Sequence, residues 1–347
     1  MDLQKRIEAF SELGYILKGS LEGRSDRWSE KLLSLMNNQY INNPWFTAGN
    51  VRMAVKAISD KLTIDNLRKW TSLYPALNET HKPVRAGLIM AGNIPLVGFH
   101  DLLTVLISGN SVIAKTSSKD PELIVEIGEI LCSINNEFTK AIRFTDGFLT
   151  GFDVVIATGS DNSSRYFEYY FGKYPHVIRK NRNSVAIIEG DETIKELAKL
   201  GTDIFSYFGL GCRNVSKLYI PAGYDFKEMV PHWSGFKEII NHSKYANNYD
   251  YNMAIYLINK EKFLDTGYIL LKESTGLSSP VGVLYYEHYS SSAEVESNLS
   301  LNKENIQCIT GKKWIPFGES QAPELWDYSD NIDTLDFLLK KNMAGIL

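Results

Sequence analysis

The spacing of apolar residues changes once along this chain, and the change predicts an α/β protein. Residues 2–18 and most of 25–75 repeat apolar positions at helical spacing, with an interruption at Asn42-Asn43-Pro44. After Lys82-Pro83, short apolar runs alternate with helical stretches, which is typical of a parallel sheet covered on both faces. We therefore expect N-terminal helices followed by layered α/β structure.

Eight apolar runs are predicted as strands: 84–91, 111–115, 153–157, 176–179, 184–188, 217–221, 281–286 and 306–310. Helices are predicted over 97–108, over 192–207, through most of 225–275 and over 331–341. Two more are predicted with one clear end each: one begins at 119–121 with Asp120 as its cap, and one follows the turn at 158–160 and ends at about 171. We place a domain boundary near residue 205. This gives an N-terminal and cofactor domain (1–205), a catalytic domain (206–330) and a C-terminal helix (331–347).

Small and hydrogen-bonding residues follow three of the predicted strands. These strand ends are Gly92-Asn93, Lys115-Thr116-Ser117-Ser118 and Thr158-Gly159-Ser160. Ligands of open parallel sheets bind at the carboxyl ends of the strands, so these turns are the expected ligand edge. No G-x-G-x-x-G follows the first strand, which excludes the common dinucleotide fingerprint.

One cysteine stands out, at the end of Phe208-Gly209-Leu210-Gly211-Cys212-Arg213-Asn214. Two glycines before it let the backbone approach a bound group, and the following amides can point at an anion. Cys212 is thus a candidate nucleophile, the alternative being a small buried cysteine beside a tight turn. We expect Cys132 and Cys308 to be structural.

Composition narrows the class of protein. The chain is 44% hydrophobic and 22% charged, with a formal net charge of -4, which argues against nucleic-acid and anionic-membrane partners. Three scattered cysteines argue for a reducing compartment, and the start lacks a secretion signal, so we expect a cytoplasmic protein. There is no apolar run of membrane-spanning length, and the histidines and cysteines lack metal-site spacing.

Five stretches in order make the chain resemble the aldehyde dehydrogenase superfamily, and most of all its acyl-CoA reductase family, typified by the fatty-acid reductase of bacterial bioluminescence. They are Ala91-Gly92-Asn93-Ile94-Pro95, the run from Ser108 to Lys115, Thr158-Gly159-Ser160, Gly209-Leu210-Gly211-Cys212 and Ser279-Pro280-Val281. The resemblance implies a Rossmann-like cofactor domain with a parallel sheet, a second α/β catalytic domain and a cleft between them.

The resemblance also implies roles for particular residues. Cys212 looks like the family's catalytic thiol, and Asn93 like the oxyanion-hole amide that acts with the backbone N–H of Cys212. Lys115 resembles the lysine that meets the adenosine ribose. The remaining residues implied in cofactor binding are Ser117, Ser118, Thr158, Gly159 and Ser160.

Two departures from the superfamily pattern point to the reaction. Oxidising aldehyde dehydrogenases carry a glutamate base in a Glu-Leu-Gly-Gly stretch, and Arg179 stands about there in this chain. Without a base to activate water, transfer to or from a thiol is favoured over acid formation; Glu189 and Glu273 remain alternative bases. Ser118 replaces a glutamate of many NAD-preferring members, so we hypothesise NADPH, with NADH as the alternative.

The resulting hypothesis is NADPH-dependent reduction of an acyl-CoA or acyl-carrier thioester to an aldehyde through a Cys212 acyl-enzyme. An aldehyde dehydrogenase, an acyl-phosphate reductase and a catalytically silent nucleotide-binding homologue remain alternatives. The resemblance is compatible with a homo-oligomer or with a complex with an acyl-transferring enzyme. The group that activates Cys212 is left open between Arg213, the adjacent amides and a helix end.

Overall fold

The computed structural model describes residues 1–79 and 82–344 and contains two compact units. Unit 1 comprises Met1–Lys180 together with the C-terminal segment from Glu324, and unit 2 comprises Asn181–Pro323. No helix among the described residues has the length and apolar character needed to cross a bilayer.

Unit 1 begins with four helices, as the apolar spacing predicts: α1 (Leu3–Glu22), α2 (Arg27–Asn38), α3 (Ala48–Lys61) and α4 (Ile64–Ser72). Each starts at a side-chain cap that accepts a backbone N–H of the first turn, and the caps are Asp2, Asp26, Thr47 and Thr63. Phe10, Leu13 and Trp70 are fully buried, so the apolar stripes of these helices form part of the core of unit 1.

A five-stranded parallel sheet forms the centre of unit 1. Its strands are β1 (Arg85–Ile89), β2 (Ser111–Lys115), β3 (Ile142–Thr145), β4 (Val154–Thr158) and β5 (His176–Arg179), in the order β3-β2-β1-β4-β5. The other α-helices of unit 1 are α5 (Phe99–Ile107), α6 (Leu123–Ile134), α7 (Phe138–Ala141), α8 (Asp161–Phe171) and α12 (Thr334–Ala344). The predicted sheet is confirmed, and β3 is an additional strand.

The strand order places a topological switch point at β1. The chain adds β2 and β3 on one side of β1 and then β4 and β5 on the other. All pairings are parallel, so the carboxyl ends of β1, β2 and β4 lie at one edge of the sheet. In open α/β sheets this edge is where ligands bind.

Unit 2 contains a six-stranded sheet in the order β11-β6-β7-β10-β9-β8, parallel except for the short β8. Its strands are β6 (Asn183–Ile187), β7 (Val215–Pro221), β8 (Leu264–Asp265), β9 (Leu270–Glu273), β10 (Val283–Tyr289) and β11 (Ile306–Thr310). Its α-helices are α9 (Ile194–Phe205), α10 (Ser243–Ile258) and α11 (Ser292–Leu301). The expectation of a mainly helical 225–275 is wrong in part, because β8 and β9 lie there and 230–241 is a 3-10 helix.

The division into units differs from the predicted boundaries near 205 and 330. Strand β6 pairs with β7 and β11, and α9 packs on β7, so the chain from 181 belongs with unit 2. The C-terminal segment belongs with unit 1, because the Tyr328 hydroxyl accepts a 2.8 Å hydrogen bond from Trp70 Nε1 and lies 2.9 Å from the Tyr74 hydroxyl.

Candidate active site

The cysteine loop of unit 2, residues 206–214, begins with an unusual backbone. Directly after α9, Tyr207 and Phe208 have φ angles of 51° and 60°, and Gly209 has φ of 75°. Glycine adopts this left-handed conformation at no steric cost, whereas tyrosine and phenylalanine are strained by roughly 1–2 kcal/mol each. The chain leaves the helix sharply here and reaches Cys212, whose side chain is partly buried.

Asn214 holds this loop through its side-chain amide. The amide oxygen accepts the N–H of Gly211 at 2.8 Å, and the amide nitrogen donates to the carbonyls of Asp203 at 3.0 Å and Ser206 at 2.8 Å. Asn214 is only 3% exposed, so these bonds are shielded from water. Two of the carbonyls that the end of α9 leaves unpaired are thereby satisfied.

Asp203 connects the same loop to a turn at 318–320. Its buried carboxylate accepts the backbone N–H groups of Gly318 at 2.7 Å and Ser320 at 3.0 Å, and burial raises the pKa of Asp203. The carbonyl of Ser320 in turn accepts from Nε of Arg213 at 2.5 Å. These hydrogen bonds join Asn214 to Asp203, Asp203 to Ser320 and Ser320 to Arg213, and the peptide bond between Arg213 and Asn214 closes the ring.

The loop's hydrogen bonds restrict which amides can hold an oxyanion. The N–H groups of Leu210, Gly211 and Asn214 already donate within the loop, to Tyr207, to the Asn214 side chain and to Gly211 respectively. These three amides are therefore excluded as oxyanion donors. The donor implied by the resemblance, the N–H of Cys212, stays a prediction.

Two of the five family-like stretches meet in one pocket of unit 2. Phe208 and Gly209 from the cysteine loop line it together with Ser279, Pro280 and Val281. The pocket encloses about 320 Å³ of empty space, including its open mouth. These two stretches lie about 70 residues apart in the sequence, and the fold brings them to one pocket.

Asn93 lies exposed in the turn after β1, at the ligand edge of unit 1. Its neighbour Gly92 packs against the turn after β2, because a Cβ on Gly92 would come within 2.7 Å of the Cβ of Ser117. The structure therefore packs the turn that carries Asn93 against the turn that carries the predicted cofactor residues Ser117 and Ser118.

Asp120 does not cap α6, which begins later, at Leu123. Instead its carboxylate accepts the N–H of Leu96 at 2.7 Å, and Leu96 has a left-handed φ of 57°. Asp120 is 4% exposed, and this burial raises its pKa to about 6. The predicted cap is thus a clamp between the turns after β1 and β2.

The predicted cofactor residues occupy the carboxyl ends of β2 and β4. Nζ of Lys115 donates to the carbonyls of Asp146 at 2.6 Å and Gly147 at 2.7 Å, which orients the ammonium along the sheet edge. In the turn that follows β2, Ser117 Oγ accepts the N–H of Lys119 at 3.2 Å, and Ser118 is exposed.

The turn after β4 leads directly into α8. Ser160 caps the helix by accepting the N–H of Ser163 at 3.3 Å. A Cβ on Gly159 would lie 2.8 Å from the Phe167 ring, so only glycine lets strand and helix approach this closely. Hydroxyl, ammonium and backbone donors at one sheet edge, with a helix start among them, fit the phosphates and ribose of a nucleotide.

Arg179, expected near the position of a catalytic glutamate, is buried in unit 1. It is 2% exposed, its Nη1 lies 2.5 Å from Asp101 Oδ2, and its Nη2 donates to Thr334 Oγ1 at 2.7 Å. The two alternative carboxylates, Glu189 and Glu273, are both exposed on unit 2. Neither carboxylate therefore lies in a buried, water-excluded position.

The other two cysteines lie outside these sites. Cys308 is buried on β11 with its Sγ 3.0 Å from Ser184 Oγ, as expected of a structural cysteine, whereas Cys132 is only partly buried. Across residues 1–79 and 82–344, no three histidine, cysteine or acidic side chains converge as metal ligands.

Sequence reasoning missed Asn214, Asp203 and the true role of Asp120. An asparagine two residues beyond a candidate nucleophile, at the start of an apolar strand, was the available signal for Asn214. Asp203 lies in a helical stretch and Asp120 precedes a proline, so the local sequence already accounts for both residues. It gives no sign of the contacts that they make with distant residues.

Known proteins resemble this chain in sequence and in fold. The family model "Acyl-CoA reductase (LuxC)" matches residues 64–236. Long-chain acyl-protein thioester reductase 2 of Photobacterium leiognathi is 25% identical over 191 residues, which are 50% of this chain and 40% of that protein. The long-chain acyl-protein thioester reductase of Aliivibrio fischeri is 26% identical over 203 residues, 53% of this chain and 42% of that protein. The matches thus span well under half the length of these relatives.

Solved aldehyde dehydrogenases share the fold. Aldehyde dehydrogenase 21 from Physcomitrella patens superposes with a TM-score of 0.70 at 14% identity, covering 99% of this chain and 85% of that one. The Mycobacterium tuberculosis enzyme, solved with NAD⁺, gives a TM-score of 0.59 at 13% identity over 87% and 72% of the two chains. The expected aldehyde dehydrogenase-like α/β fold is confirmed, and over residues 64–236 the chain matches the acyl-CoA reductase (LuxC) family, as the sequence motifs indicate.

Proposed function

We propose that this chain reduces an acyl thioester, acyl-CoA or acyl-carrier, to an aldehyde with NADPH, through an acyl-enzyme on Cys212. The observation that carries the proposal is the position of the family match. Residues 64–236 include Cys212, Asn93 and all of the predicted cofactor residues. The two relatives described above are named acyl-protein thioester reductases, which supports the same substrate class here.

In the proposed reaction the thiolate of Cys212 attacks the thioester carbonyl, and the carrier's sulfur leaves as a thiolate that takes up a proton. The side-chain amide of Asn93 and the N–H of Cys212 would stabilise the developing oxyanion, a donor of this kind contributing about 3 kcal/mol. A bound nicotinamide supplies the hydride to the acyl carbon. Expulsion of the Cys212 thiolate then releases the aldehyde and restores the enzyme.

The absence of a glutamate at Arg179 supports reduction over hydrolysis. An acyl-enzyme is hydrolysed when a general base activates a water molecule. Arg179 does not supply such a base, because it is a guanidinium bound to Asp101 in the core of unit 1. Exposed Glu189 and Glu273 are poor candidates for the missing base. We therefore expect the acyl-enzyme to react with hydride or to transfer its acyl group back to a carrier thiol, rather than to be hydrolysed.

For the cofactor we propose Lys115, Ser117 and Ser118 as the ribose and 2′-phosphate side, and Thr158, Gly159 and Ser160 as the pyrophosphate side. Ser117 and Ser118, which follow β2, are uncharged, and Lys119 adds a positive charge to the same turn. A 2′-phosphate would meet no carboxylate from these residues, which favours NADPH over NADH.

The direct test is acyl transfer in the absence of reductant. We would mix the full chain with acyl-CoA thioesters of several lengths and identify the modified peptide by mass spectrometry. An acyl adduct on Cys212 that disappears when NADPH is added, with aldehyde formed, supports the proposal. If no thioester formed an adduct and acyl phosphates did, the result would favour an acyl-phosphate reductase. No adduct from any donor would favour a silent nucleotide-binding homologue, and slow acid release would favour an aldehyde dehydrogenase.

A further inference from the structure

We propose that Asn214 is a positioning residue for Cys212, whose side-chain amide fixes the turn that carries the thiol. The inference rests on the proposed function only in taking Cys212 as the nucleophile. It concerns the geometry of the cysteine loop within unit 2.

The amide of Asn214 holds the chain on both sides of the cysteine. Asn214 lies two residues after Cys212, and it accepts the N–H of Gly211, one residue before Cys212. Its amide nitrogen donates back to the carbonyls of Asp203, Ile204 and Ser206 at the end of α9. One side chain therefore fixes both the entry to and the exit from the turn.

This clamp opposes a strained backbone. Tyr207 and Phe208 both adopt the left-handed conformation, and such residues persist only where the surroundings over-determine the fold. Nothing in the sequence of the loop favours that conformation before Gly209. The hydrogen bonds of the Asn214 side chain join residues on either side of Tyr207 and Phe208, so they are well placed to hold this backbone.

Further bonds fix the residues next to the thiol. Nε of Arg213 donates to the carbonyl of Ser320, in the turn held by the Asp203 carboxylate. The carbonyl of Cys212 itself accepts from Ser184 Oγ at 2.9 Å. With Asn214 these contacts leave the cysteine backbone little freedom, whereas loss of Asn214 removes the only side chain among them that bridges Gly211 to α9.

Two substitutions test the proposal. Asn214→Asp keeps the shape and can still accept the Gly211 N–H, but when ionised it cannot donate to the carbonyls at the end of α9. Asn214→Ala removes all of these side-chain hydrogen bonds. We expect kcat for thioester reduction to fall at least about 50-fold in both variants with KM within about threefold, because a displacement near 1 Å costs on the order of 100-fold in rate.

Asn252→Ala provides a matched control in unit 2. Asn252 is 7% exposed and donates its amide to the carbonyls of Asn248 and Val281, so its loss also removes buried hydrogen bonds. We expect this variant to lose thermal stability and to keep kcat within about twofold, since a purely structural amide does not set the thiol geometry.

A second readout is independent of any acyl substrate. Iodoacetamide labelling of the Cys212 peptide is followed against pH by mass spectrometry, with Cys132 as an internal reference. We expect the midpoint of the Cys212 profile to move by at least about half a pH unit in Asn214→Ala, which adds no charge near the thiol, because the reactivity of a thiol depends on the groups fixed around it. A folded Asn214→Ala with unchanged kcat and an unchanged midpoint would overturn the proposal. If Cys212→Ala kept its turnover, the proposed function would fail, and the labelling profile would still decide the role of Asn214.

Discussion

The carboxylate of Asp120 accepts the backbone N–H of Leu96 at 2.7 Å, across 24 residues of sequence. This bond joins the turn that carries Asn93 to the turn that carries Ser117 and Ser118. Asp120 is buried, and its Oδ1 has no hydrogen-bond partner among the described residues. Ionisation of a carboxylate in that position destabilises the folded state.

We expect Asp120→Asn to stabilise the protein at neutral pH. Burial raises the pKa of Asp120 from 3.8 to about 6, so its ionisation disfavours the folded state, by an amount that grows from about pH 4 and is constant above about pH 6. The shift corresponds to about 3 kcal/mol, and a neutral amide can still accept the Leu96 N–H. Urea unfolding at pH 7 should show a gain approaching that size.

The sign of the effect is checked by repeating the unfolding near pH 4. There the native carboxyl is already protonated, so wild type and Asp120→Asn should differ little in free energy of unfolding. A gain that stayed the same at both pH values would contradict titration of Asp120 as the cause.

The ion pair between Arg179 and Asp101 predicts a structural role for Arg179. Removing one partner, as in Arg179→Ala, leaves a buried carboxylate unpaired and should cost about 3–5 kcal/mol of unfolding free energy. The double variant Asp101→Leu with Arg179→Met should recover most of that loss, because no lone charge remains. Denaturant curves of the single and double variants measure both; a stable Arg179→Ala would show that the pair does not hold the core.

Ser118→Glu should change the cofactor preference. In the proposed cofactor site a carboxylate at position 118 would lie beside the ribose and repel a 2′-phosphate, so we expect KM for NADPH to rise at least about tenfold while KM for NADH changes less than about threefold. Ser118→Gln is the control, similar in size but neutral, and should leave the preference near that of wild type. Equal effects of the two substitutions on NADPH would assign the change to size rather than charge.

The parts of the fold that were predictable are those with local causes. Apolar runs predicted β1, β2 and β4, and their following turns at Asn93, Lys115 and Thr158 lie at one sheet edge as expected. Strand β3 was missed because Ile142-Arg143-Phe144-Thr145 is short, partly polar and at the sheet margin.

Contacts between residues far apart in sequence were not predictable. Asp120 before Pro121 satisfies every local rule for a helix cap, and only the folded chain brings Leu96 to it. Arg179 finds its partners 78 and 155 residues away, at Asp101 and Thr334. No periodicity encodes pairings of that kind, which is why the resemblance suggested a catalytic position for a residue that stabilises the core.

The central claim is that Cys212 carries the acyl group between thioester and hydride. The most direct measurement follows NADPH absorbance and free thiol together, for wild type and Cys212→Ala, with a series of acyl-CoA thioesters. We predict equal amounts of NADPH consumed and thiol released in wild type, and loss of both signals in a folded Cys212→Ala. Turnover within about tenfold of wild type in Cys212→Ala would contradict it.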